Sequence, residues 1–414
     1  MRVQDQIHFC APARTVFGCG SRAQLPALVR RMGYRCGVLV TDTFFTGRTP
    51  WVQEYVAAAK ALGIDTVVYE GGLPDPTIPL CDEATTLIRK ALDGRTADHV
   101  ISLGGGSNID LAKALCLTLP EGRPVREFAG ALAEQPVALP HISLPTTAGT
   151  GSEATPGAIL IDPENATKIA VMDNALRPVI ALIDPEFTYT CPPRVTADAG
   201  IDALTHAVES YLTIDSWQYD RAGNPDPGYS GRSALTMSFA HQSLRLCAGY
   251  LERTYADGDD HEARIGMAYA SYYAALSYGS AGLNAVHGIA YAVAGQTHKS
   301  HGSTNAVMLP YVLDAMREVR RSELIEVGRL FGIQGNDDAV LLETPRRFRN
   351  LVGALDIPTD LKRFGITRDA LDALVADALG VVRLARAFPV ADVEAAYARI
   401  VDAAWHGRLA ADAV

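Results

Sequence analysis

Two groups of residues in the sequence have types and a spacing that suit the binding of one divalent metal ion. GIDALTHAVESYL, which begins at Gly200, predicts the opening of an amphipathic helix. Asp202 and His206 stand four residues apart in it, on one face and one turn apart. A second stretch, from His287 to His301, contains three of the ten histidines. One carboxylate oxygen with two or three imidazole nitrogens suits Zn²⁺ or Fe²⁺ and is too rich in nitrogen for Mg²⁺ or Ca²⁺. Because D-x-x-x-H pairs are common, a solvated or hydrogen-bonded pair is the alternative on spacing alone.

A glycine-rich segment in the first half of the chain is typical of a phosphate site. The apolar run 99–103 leads directly into Gly104-Gly105-Gly106-Ser107, and a helical pattern begins at Asn108. Glycines let a backbone approach a ligand closely, and the free N–H groups of a helix N-terminus attract an anion. Ser107 and Asp110 have the spacing of a capping arrangement for that helix. The context favours a pyrophosphate cradle over a plain turn between strand and helix.

Three further places are candidates for contact with a dinucleotide. Asp42 follows the apolar strand 37–41, where a carboxylate can hydrogen-bond a ribose 2′-OH and repel a 2′-phosphate, which favours NAD over NADP. A turn or helix-cap role suits Asp42 nearly as well. The segment PTTAGTGSE, from Pro145 to Glu153, suits the wrapping of a sugar or phosphate, although it could be only a flexible turn. Its hydroxyl-bearing residues are Thr146, Thr147, Thr150 and Ser152. Lys168, just before a strand, could reach the cofactor or could simply be solvated.

These candidate segments lie in an alternating pattern of strands and helices. Apolar runs predict strands at 37–41, 65–69, 99–103, 141–144, 158–161, 169–172 and 179–183, with helices at 51–62 and 80–92 among them. This alternation is the signature of a parallel, doubly wound sheet. From Thr196 onward the apolar spacing is helical. The predicted helices there are 234–251, 262–275, 306–330, 370–379 and 391–405, with a small-residue helical stretch at 279–288. The segment 215–233, rich in Gly, Pro, Asn and Asp, predicts a loop.

Length, charge and cysteine usage limit the classes of function. At 414 residues the chain exceeds the size of a usual single core, so we expect two domains: residues 1–190, α/β and dinucleotide-binding, and residues 191–414, helical and metal-binding. A net charge of −10 argues against general nucleic-acid binding and against docking on anionic membranes. No apolar run reaches the length of a membrane span, and the N-terminus lacks the profile of a signal peptide. Seven scattered cysteines without a CxxC pair are typical of reduced thiols, so a cytoplasmic enzyme is expected.

Four motifs, in this order, make the chain similar to a known family. GGGSNIDLAKA, PTTAGTGSEAT, GIDALTHAVESY and the HG pair at His287 and His301 resemble the iron-containing alcohol dehydrogenases, along nearly the whole chain. The resemblance implies a dehydroquinate-synthase-like architecture, in which an α/β nucleotide domain precedes an all-helical domain that holds the metal in the cleft. It also implies NAD as cofactor, Fe²⁺ with Zn²⁺ as the alternative, a small alcohol or aldehyde as substrate, and a homodimer.

The same resemblance assigns roles to individual residues. It implies a metal site formed by Asp202, His206, His287 and His301. It further implies that residues 104–107 contact the pyrophosphate, that Asp42 contacts the adenosine ribose, and that Thr146 and Thr147 lie near the nicotinamide side.

Three features depart from the family pattern. Many members carry a histidine four residues after the third ligand, where it is thought to relay a proton; here that residue is Tyr291, whose ordinary pKa near ~10 makes it a poorer shuttle at neutral pH. Asp75 stands where the family usually has Asn, and the loop 215–233 is longer than the usual connection. Tyr291 and this loop resemble the hydroxyacid–oxoacid transhydrogenase branch of the family.

The expected function is metal-dependent oxidoreduction of a primary alcohol and its aldehyde with NAD. The metal acts as a Lewis acid on the substrate oxygen, hydride passes between the carbinol carbon and the nicotinamide, and Tyr291 with water carries the proton. A transhydrogenase that uses tightly held NAD is the main alternative. A dehydroquinate-synthase-like lyase normally needs a more basic site, and a non-catalytic nucleotide-binding protein does not explain the intact set of ligands.

Overall fold

The α/β part of the chain is built on parallel strands. The computed structural model describes residues 6–130, 134–165 and 167–413. Its strands are β1 (Arg14–Phe17), β2 (Cys36–Val40), β3 (Asp65–Tyr69), β4 (His99–Gly104), β5 (His141–Pro145), β6 (Gly157–Asp162), β7 (Thr167–Met172) and β8 (Ile180–Ile183). The order β1-β8-β5-β4-β2-β3 forms one parallel sheet, whereas β6 and β7 pair with each other as an antiparallel hairpin. The strands predicted at 158–161 and 169–172 therefore exist but form this separate hairpin.

Helices cover both faces of the parallel sheet, which is why its strands read as continuous apolar runs. They are α1 (Leu25–Arg31), α2 (Thr43–Arg48), α3 (Trp51–Ala61), α4 (Ile78–Leu92) and α5 (Gly106–Glu121). Because side chains alternate along a strand, Val38 lies in one core cluster with Leu115 of α5, and Leu39 lies in another with Val52 of α3. The predicted parallel, doubly wound sheet is confirmed.

The order in which strands are added to the sheet reverses between β2 and β4. From β2 the chain moves outward to β3 and then returns to the opposite side of β2 to form β4. In open α/β sheets, ligands bind outside the carboxyl ends of the strands at such a switch point. Asp42 follows β2, and Gly104 ends β4. The topology therefore brings two independently predicted cofactor residues to the same edge.

The remaining helices belong to a second compact unit. One unit comprises Cys10–Tyr189 and Asp226–Gly228; the other comprises the described residues up to Phe9, Thr190–Pro225 and the described residues from Tyr229 onward. The helices of the second unit are α6 (Pro193–Leu212), α7 (Ala234–Ala256), α8 (His261–Ala281), α9 (Ala285–Thr297), α10 (His301–Ala315), α11 (Arg321–Leu330), α12 (Asp337–Ala354), α13 (Leu361–Phe364), α14 (Leu371–Gly380), α15 (Val382–Ala385) and α16 (Val393–His406). The predicted loop 215–233 contains neither a helix nor a strand. Within the described ranges, no helix is long and apolar enough to cross a membrane.

Several predicted boundaries were wrong. The helix that carries Asp202 begins at Pro193, so Gly200 lies inside it and does not open it. The stretch 279–288 is not one helix, because α8 ends at Ala281 and Gly282 adopts a φ of 87° before α9 begins. The span 306–330 is divided between α10 and α11.

Candidate functional site

Four side chains of the helical unit converge on one point. Asp202 and His206 lie one turn apart on α6, His287 lies on α9, and His301 is the first residue of α10. One ligand atom from each lies within 4.8 Å of the others. Asp202 Oδ1 is 3.7 Å from the Nε2 atom of each of the three histidines. The structure therefore brings together the four residues that the sequence indicated, with three of them buried and His301 partly exposed.

The donor set fits a divalent transition metal. Tetrahedral ligands at about 2.1 Å from an ion are roughly 3.4 Å apart, so the 3.7 Å separations need only a small contraction. Burial raises the pKa of the Asp202 carboxyl to about 7, while the charge of His287 and a hydrogen bond from Asn305 act in the opposite direction. A cation among these ligands would favour the charged carboxylate. The site is therefore chemically suited to an ion that accepts one oxygen and three imidazoles.

The close approach of two helices requires a glycine directly after His301. A Cβ atom on Gly302 would lie 2.1 Å from the carbonyl oxygen of Asp198, so only glycine fits where α10 begins against α6. The hydroxyls of Ser300 and Ser303 both donate to the Asp198 carboxylate. These contacts fix the start of α10, and with it the position of His301.

Glu209 is a site residue that the sequence reasoning missed. Its carboxylate is buried, accepts a hydrogen bond from Nδ1 of His287, and also accepts from the backbone N–H groups of Asn284 and Val286, at 3.1 and 2.7 Å. It therefore caps α9 and orients the histidine on it. The signal was present in the spacing, because positions 202, 206 and 209 lie on one face of a helix. A carboxylate on the far nitrogen of a metal-binding histidine fixes its tautomer and ring orientation.

The two predicted cofactor segments of the α/β unit pack against each other. A Cβ atom on Gly106 would lie 2.8 Å from Thr150, and one on Gly105 would lie 3.6 Å from Thr147. The backbone N–H of Thr146 donates to the carbonyl of Gly104 at 3.0 Å. The absence of a side chain at Gly106 is therefore what allows the hydroxyl-bearing loop to lie on the glycine-rich turn, whereas a Cβ atom at Gly105 would make only an ordinary contact.

Asp42 acts as a helix cap in this structure, which was its alternative interpretation. Its Oδ1 accepts from the backbone N–H of Phe44 at 2.9 Å, and its Oδ2 accepts from Nδ2 of Asn108 at 2.7 Å. Asn108 also donates to the carbonyl of Leu103. Asn108, which the sequence reasoning did not single out, thus holds Asp42 at the carboxyl end of β2.

The capping arrangement predicted for Ser107 and Asp110 is wrong, because α5 begins at Gly106, two residues earlier than predicted, with Gly105 as its N-cap. Ser107 Oγ instead accepts from the backbone N–H of Asp75 at 3.1 Å. Lys168 Nζ donates to the Asp75 carboxylate at 3.1 Å. The structure thus places Lys168 near the glycine-rich turn by way of Asp75.

The comparisons with known proteins agree with this geometry. Residues 12–185 match the family described as iron-containing alcohol dehydrogenase, and residues 228–401 match the C-terminal part of the Fe-containing alcohol dehydrogenase family. The long-chain-alcohol dehydrogenase 1 of Geobacillus thermodenitrificans is 34% identical over 412 residues, which cover 96% of this chain and 98% of that protein. The chain belongs to the iron-containing alcohol dehydrogenase family.

Two further proteins are similar to this iron-containing alcohol dehydrogenase along most of its length. The NAD-dependent methanol dehydrogenase of Bacillus methanolicus is 28% identical and covers 90% of this chain and 93% of its own length. The structure of an alcohol dehydrogenase from Oenococcus oeni, 28% identical, superposes with a TM-score of 0.85 and covers 96% of this chain and all of its own. The predicted fold class and the predicted oxidoreductase class are confirmed.

Tyr291, one helical turn after His287 on α9, lies against the ligand cluster. Its ring stacks on His301 with centroids 5.6 Å apart and meets His287 edge-on at 6.2 Å. On another side of the cluster, Tyr278 stacks on His206 at 4.1 Å. Two tyrosines thus line the histidines, and the proton-relay role of Tyr291 stays a prediction.

Proposed function

We propose that this enzyme transfers a hydride between NAD and a primary alcohol or its aldehyde at a divalent ion held by the four converging side chains. Those side chains are Asp202, His206, His287 and His301. Their convergence on buried helices is the observation that carries the proposal. When bound, the cation supplies a Lewis acid for the substrate oxygen, and NAD supplies the hydride acceptor. Fe²⁺ is the preferred ion, and Zn²⁺ is the alternative that the same ligands accept.

Two side chains next to the four ligands also have proposed roles at this site. Glu209 accepts the Nδ1 proton of His287, which leaves the Nε2 lone pair directed toward Asp202 and the other ligands. Oxidation of an alcohol releases the proton of its hydroxyl group, and a positioned side chain can carry that proton away. Tyr291, which stacks on His301, is the proposed carrier, together with water.

We further propose that NAD binds at the carboxyl ends of β2 and β4. The glycine-rich turn at residues 104–107 opens α5 and can receive the pyrophosphate on free N–H groups. Asp42 is proposed for the ribose, and Thr146, Thr147, Thr150 and Lys168 for the remaining contacts. NAD dependence is named for the Bacillus methanolicus relative, which supports the same cofactor here.

Metal analysis combined with turnover tests the metal-site proposal. His206→Ala and His301→Ala should each lose stoichiometric metal and activity, because each removes one of four ligands from a buried site. His298→Ala is the matched control, since His298 is an exposed histidine three residues before His301. Full metal occupancy in either ligand variant would show that the ligand assignment is wrong.

The choice of reaction is tested by steady-state turnover with free NAD and a series of primary alcohols, diols and hydroxyacids. Turnover with free NAD supports the dehydrogenase, whereas activity that needs both a hydroxyacid and an oxoacid supports the transhydrogenase.

The homodimer, the cytoplasmic location and the division into domains at residues 1–190 and 191–414 stay predictions of the same proposal. Sedimentation of the purified enzyme tests the homodimer.

A further inference from the structure

A cavity of about 370 Å³ lies in the α/β unit, on the face of the parallel sheet that α1 and α3 cover. Its floor consists of buried side chains from β2, β4 and β5, which are Leu39, Ile101, Leu103 and Leu144. Exposed residues mark its mouth, among them Ala23 near α1 and Ala58 on α3. Helix α5, which follows the glycine-rich turn, packs on the other face of the sheet. The cavity is therefore separate from the proposed cofactor site.

The size and the lining of this cavity are those of a binding site. Protein interiors are packed to a density of about 0.74 and contain few voids larger than a water molecule. This cavity has room for about a dozen waters at roughly 30 Å³ each, and the aliphatic side chains of its floor offer them no hydrogen bonds. Sites for small molecules typically have volumes of about 300–1,000 Å³, apolar linings and few polar groups. A small apolar group would fill the space with better contacts than water makes.

Three aromatic rings line the cavity and favour a flat apolar group. Trp51 and Tyr55 lie on α3, and Phe187 follows β8. The rings of Trp51 and Phe187 meet edge to face, with centroids 4.6 Å apart. Aromatic side chains provide a large apolar contact area, and the faces of their rings also attract organic cations. An arylalkyl group therefore suits these walls.

The charged groups of the lining favour a cation over an anion. Arg22 lines the cavity, but its guanidinium is already paired with Asp184 at 2.8 Å and with Glu186 at 2.5 Å. Glu54 is exposed at the mouth, and within the described ranges its carboxylate has no ion-pair partner. The uncompensated charge of the lining is therefore negative. A carboxylate and nearby aromatic faces together attract an ammonium group.

We propose that this cavity binds an arylalkylamine, with the ring on the apolar floor and the ammonium group at the mouth beside Glu54. An ammonium group at the mouth keeps part of its hydration, so the ligand gains apolar contacts without the burial of a charge. The proposal is independent of the proposed dehydrogenase reaction, because the lining includes none of the proposed metal ligands or cofactor contacts among the described residues.

Calorimetric titration of the full-length enzyme with three probes of similar size tests the class of ligand. The probes are phenylpropylamine, the neutral phenylpropionamide and the anionic phenylpropionate, each at pH 7. The amine should bind about fivefold more tightly than the carboxylate, or better, because Glu54 attracts one charge and repels the other. Equal or tighter binding of the carboxylate would overturn the proposed class of ligand. If no probe binds at concentrations up to about 10 mM, the site itself is refuted.

Two substitutions on α3 test where the amine binds. Ala58→Phe places a ring in the mouth, so it should weaken binding of the amine by about tenfold or more. Ala57→Phe is the matched control, because Ala57 is exposed on the same helix and is not part of the lining. The control should bind the amine as the wild type does. Unchanged affinity in Ala58→Phe, or an equal loss in Ala57→Phe, would show that the amine binds elsewhere.

A third substitution tests the role of the carboxylate and carries the test if Ala58→Phe does not fold, which circular dichroism shows. Glu54→Gln keeps the shape of the side chain and removes its charge. It should weaken binding of the amine by about two- to fivefold and leave the affinity for the amide unchanged. An equal effect on the amine and the amide, or no effect on either, would overturn the placement of the ammonium group beside Glu54.

Discussion

Asp42 combines a structural and a proposed selective role in one carboxylate. Two hydrogen bonds, from Phe44 and Asn108, hold it at the carboxyl end of β2. A fixed negative charge there would repel a 2′-phosphate. Asp42→Asn keeps one oxygen to cap the N–H of Phe44 and removes the charge, but its N–H₂ group then faces the N–H₂ group of Asn108. It should raise kcat/KM for NADP relative to NAD, with some loss of stability from the lost hydrogen bond. A wild type that already prefers NADP would show that this interpretation of Asp42 is wrong.

Tyr291 offers a second test at the level of a single group. Tyr291→Phe keeps the ring that stacks on His301 and removes only the hydroxyl. If the hydroxyl carries the proton, kcat should fall by about 10²–10⁴-fold while the metal content stays intact. Tyr291→His should retain activity and move the pH–rate profile toward lower pH, because imidazole titrates near ~6.5. A phenylalanine variant that changes only KM between substrates would mean that Tyr291 merely shapes the pocket.

At the scale of residues, the sequence revealed groups whose chemistry is unusual and hid those whose role depends on their neighbours. Asp202 and the three histidines could be proposed from residue type and spacing. Asn108 and Asn305 could not, because an amide has no role until its partners are known, and these partners lie up to 103 positions away along the chain. Glu209 falls between these cases, since its helical face was visible but its histidine partner was not.

At the scale of elements, the predictions succeeded where apolar periodicity decides the structure and failed where tertiary contacts do. The strand at 65–69 was located without error because it is a short apolar run between helices. The break between α10 and α11 was missed because it contains neither glycine nor proline. There, Arg320 turns away and donates to the carbonyls of Leu212 and Thr213 at the end of α6, at 2.9 and 2.8 Å. The local sequence cannot predict that contact, because its partners lie far apart along the chain.

Lys113 shows how one buried cation joins the two proposed cofactor segments. Its ammonium on α5 donates to Ser152 and to the carbonyls of Thr155 and Gly157, at 2.8–3.0 Å. Asp110, also on α5, accepts from the Ser152 hydroxyl and from the backbone N–H of a hairpin residue. Burial lowers the pKa of the Lys113 ammonium to about 8, while Asp110 opposes that shift. The lysine therefore holds the loop against the helix that follows the glycine-rich turn.

Lys113→Met should consequently affect both stability and cofactor binding. It leaves the Ser152 hydroxyl and the carbonyls of Thr155 and Gly157 without their buried donor and removes the positive charge near Asp110, so the free energy of unfolding should fall by roughly 3–5 kcal/mol. The variant should also bind NAD more weakly, because the loop is no longer held against the glycine-rich turn. Urea unfolding and fluorescence titration with NAD measure the two effects, and Lys90→Met, at an exposed lysine of α4, is the control. A stable variant with normal NAD affinity would contradict the positioning role.

At the scale of the whole molecule, two buried groups of the α/β unit make opposite contributions to stability as the pH changes. Burial lowers the pKa of His141, whose Nε2 is hydrogen-bonded to Ser102, to about 3. The unfolded chain takes up that proton near pH 6.5, so the contribution of His141 is present above pH 6.5 and is lost as the pH falls toward 3. Burial raises the pKa of Glu153 from 4.5 to about 7, so its contribution is present below pH 4.5 and is lost as the pH rises toward 7.

Between pH 4.5 and 6.5 these two dependences oppose each other, and single substitutions should separate them. Each proton that one state binds and the other does not changes the free energy of unfolding by about 1.4 kcal/mol per pH unit. Glu153→Gln removes the part of the free energy of unfolding that falls as the pH rises. The free energy of unfolding of this variant should therefore rise with pH more steeply than that of the wild type, by about 1.4 kcal/mol per pH unit. His141→Gln removes the part that rises with pH. Relative to the wild type, the free energy of unfolding of this variant should therefore fall as the pH rises, by a similar amount per pH unit. Urea unfolding at half-unit steps measures all three proteins, and groups that they share cancel in the differences. Parallel curves for Glu153→Gln and the wild type would show that Glu153 is already ionised in the folded protein throughout this range.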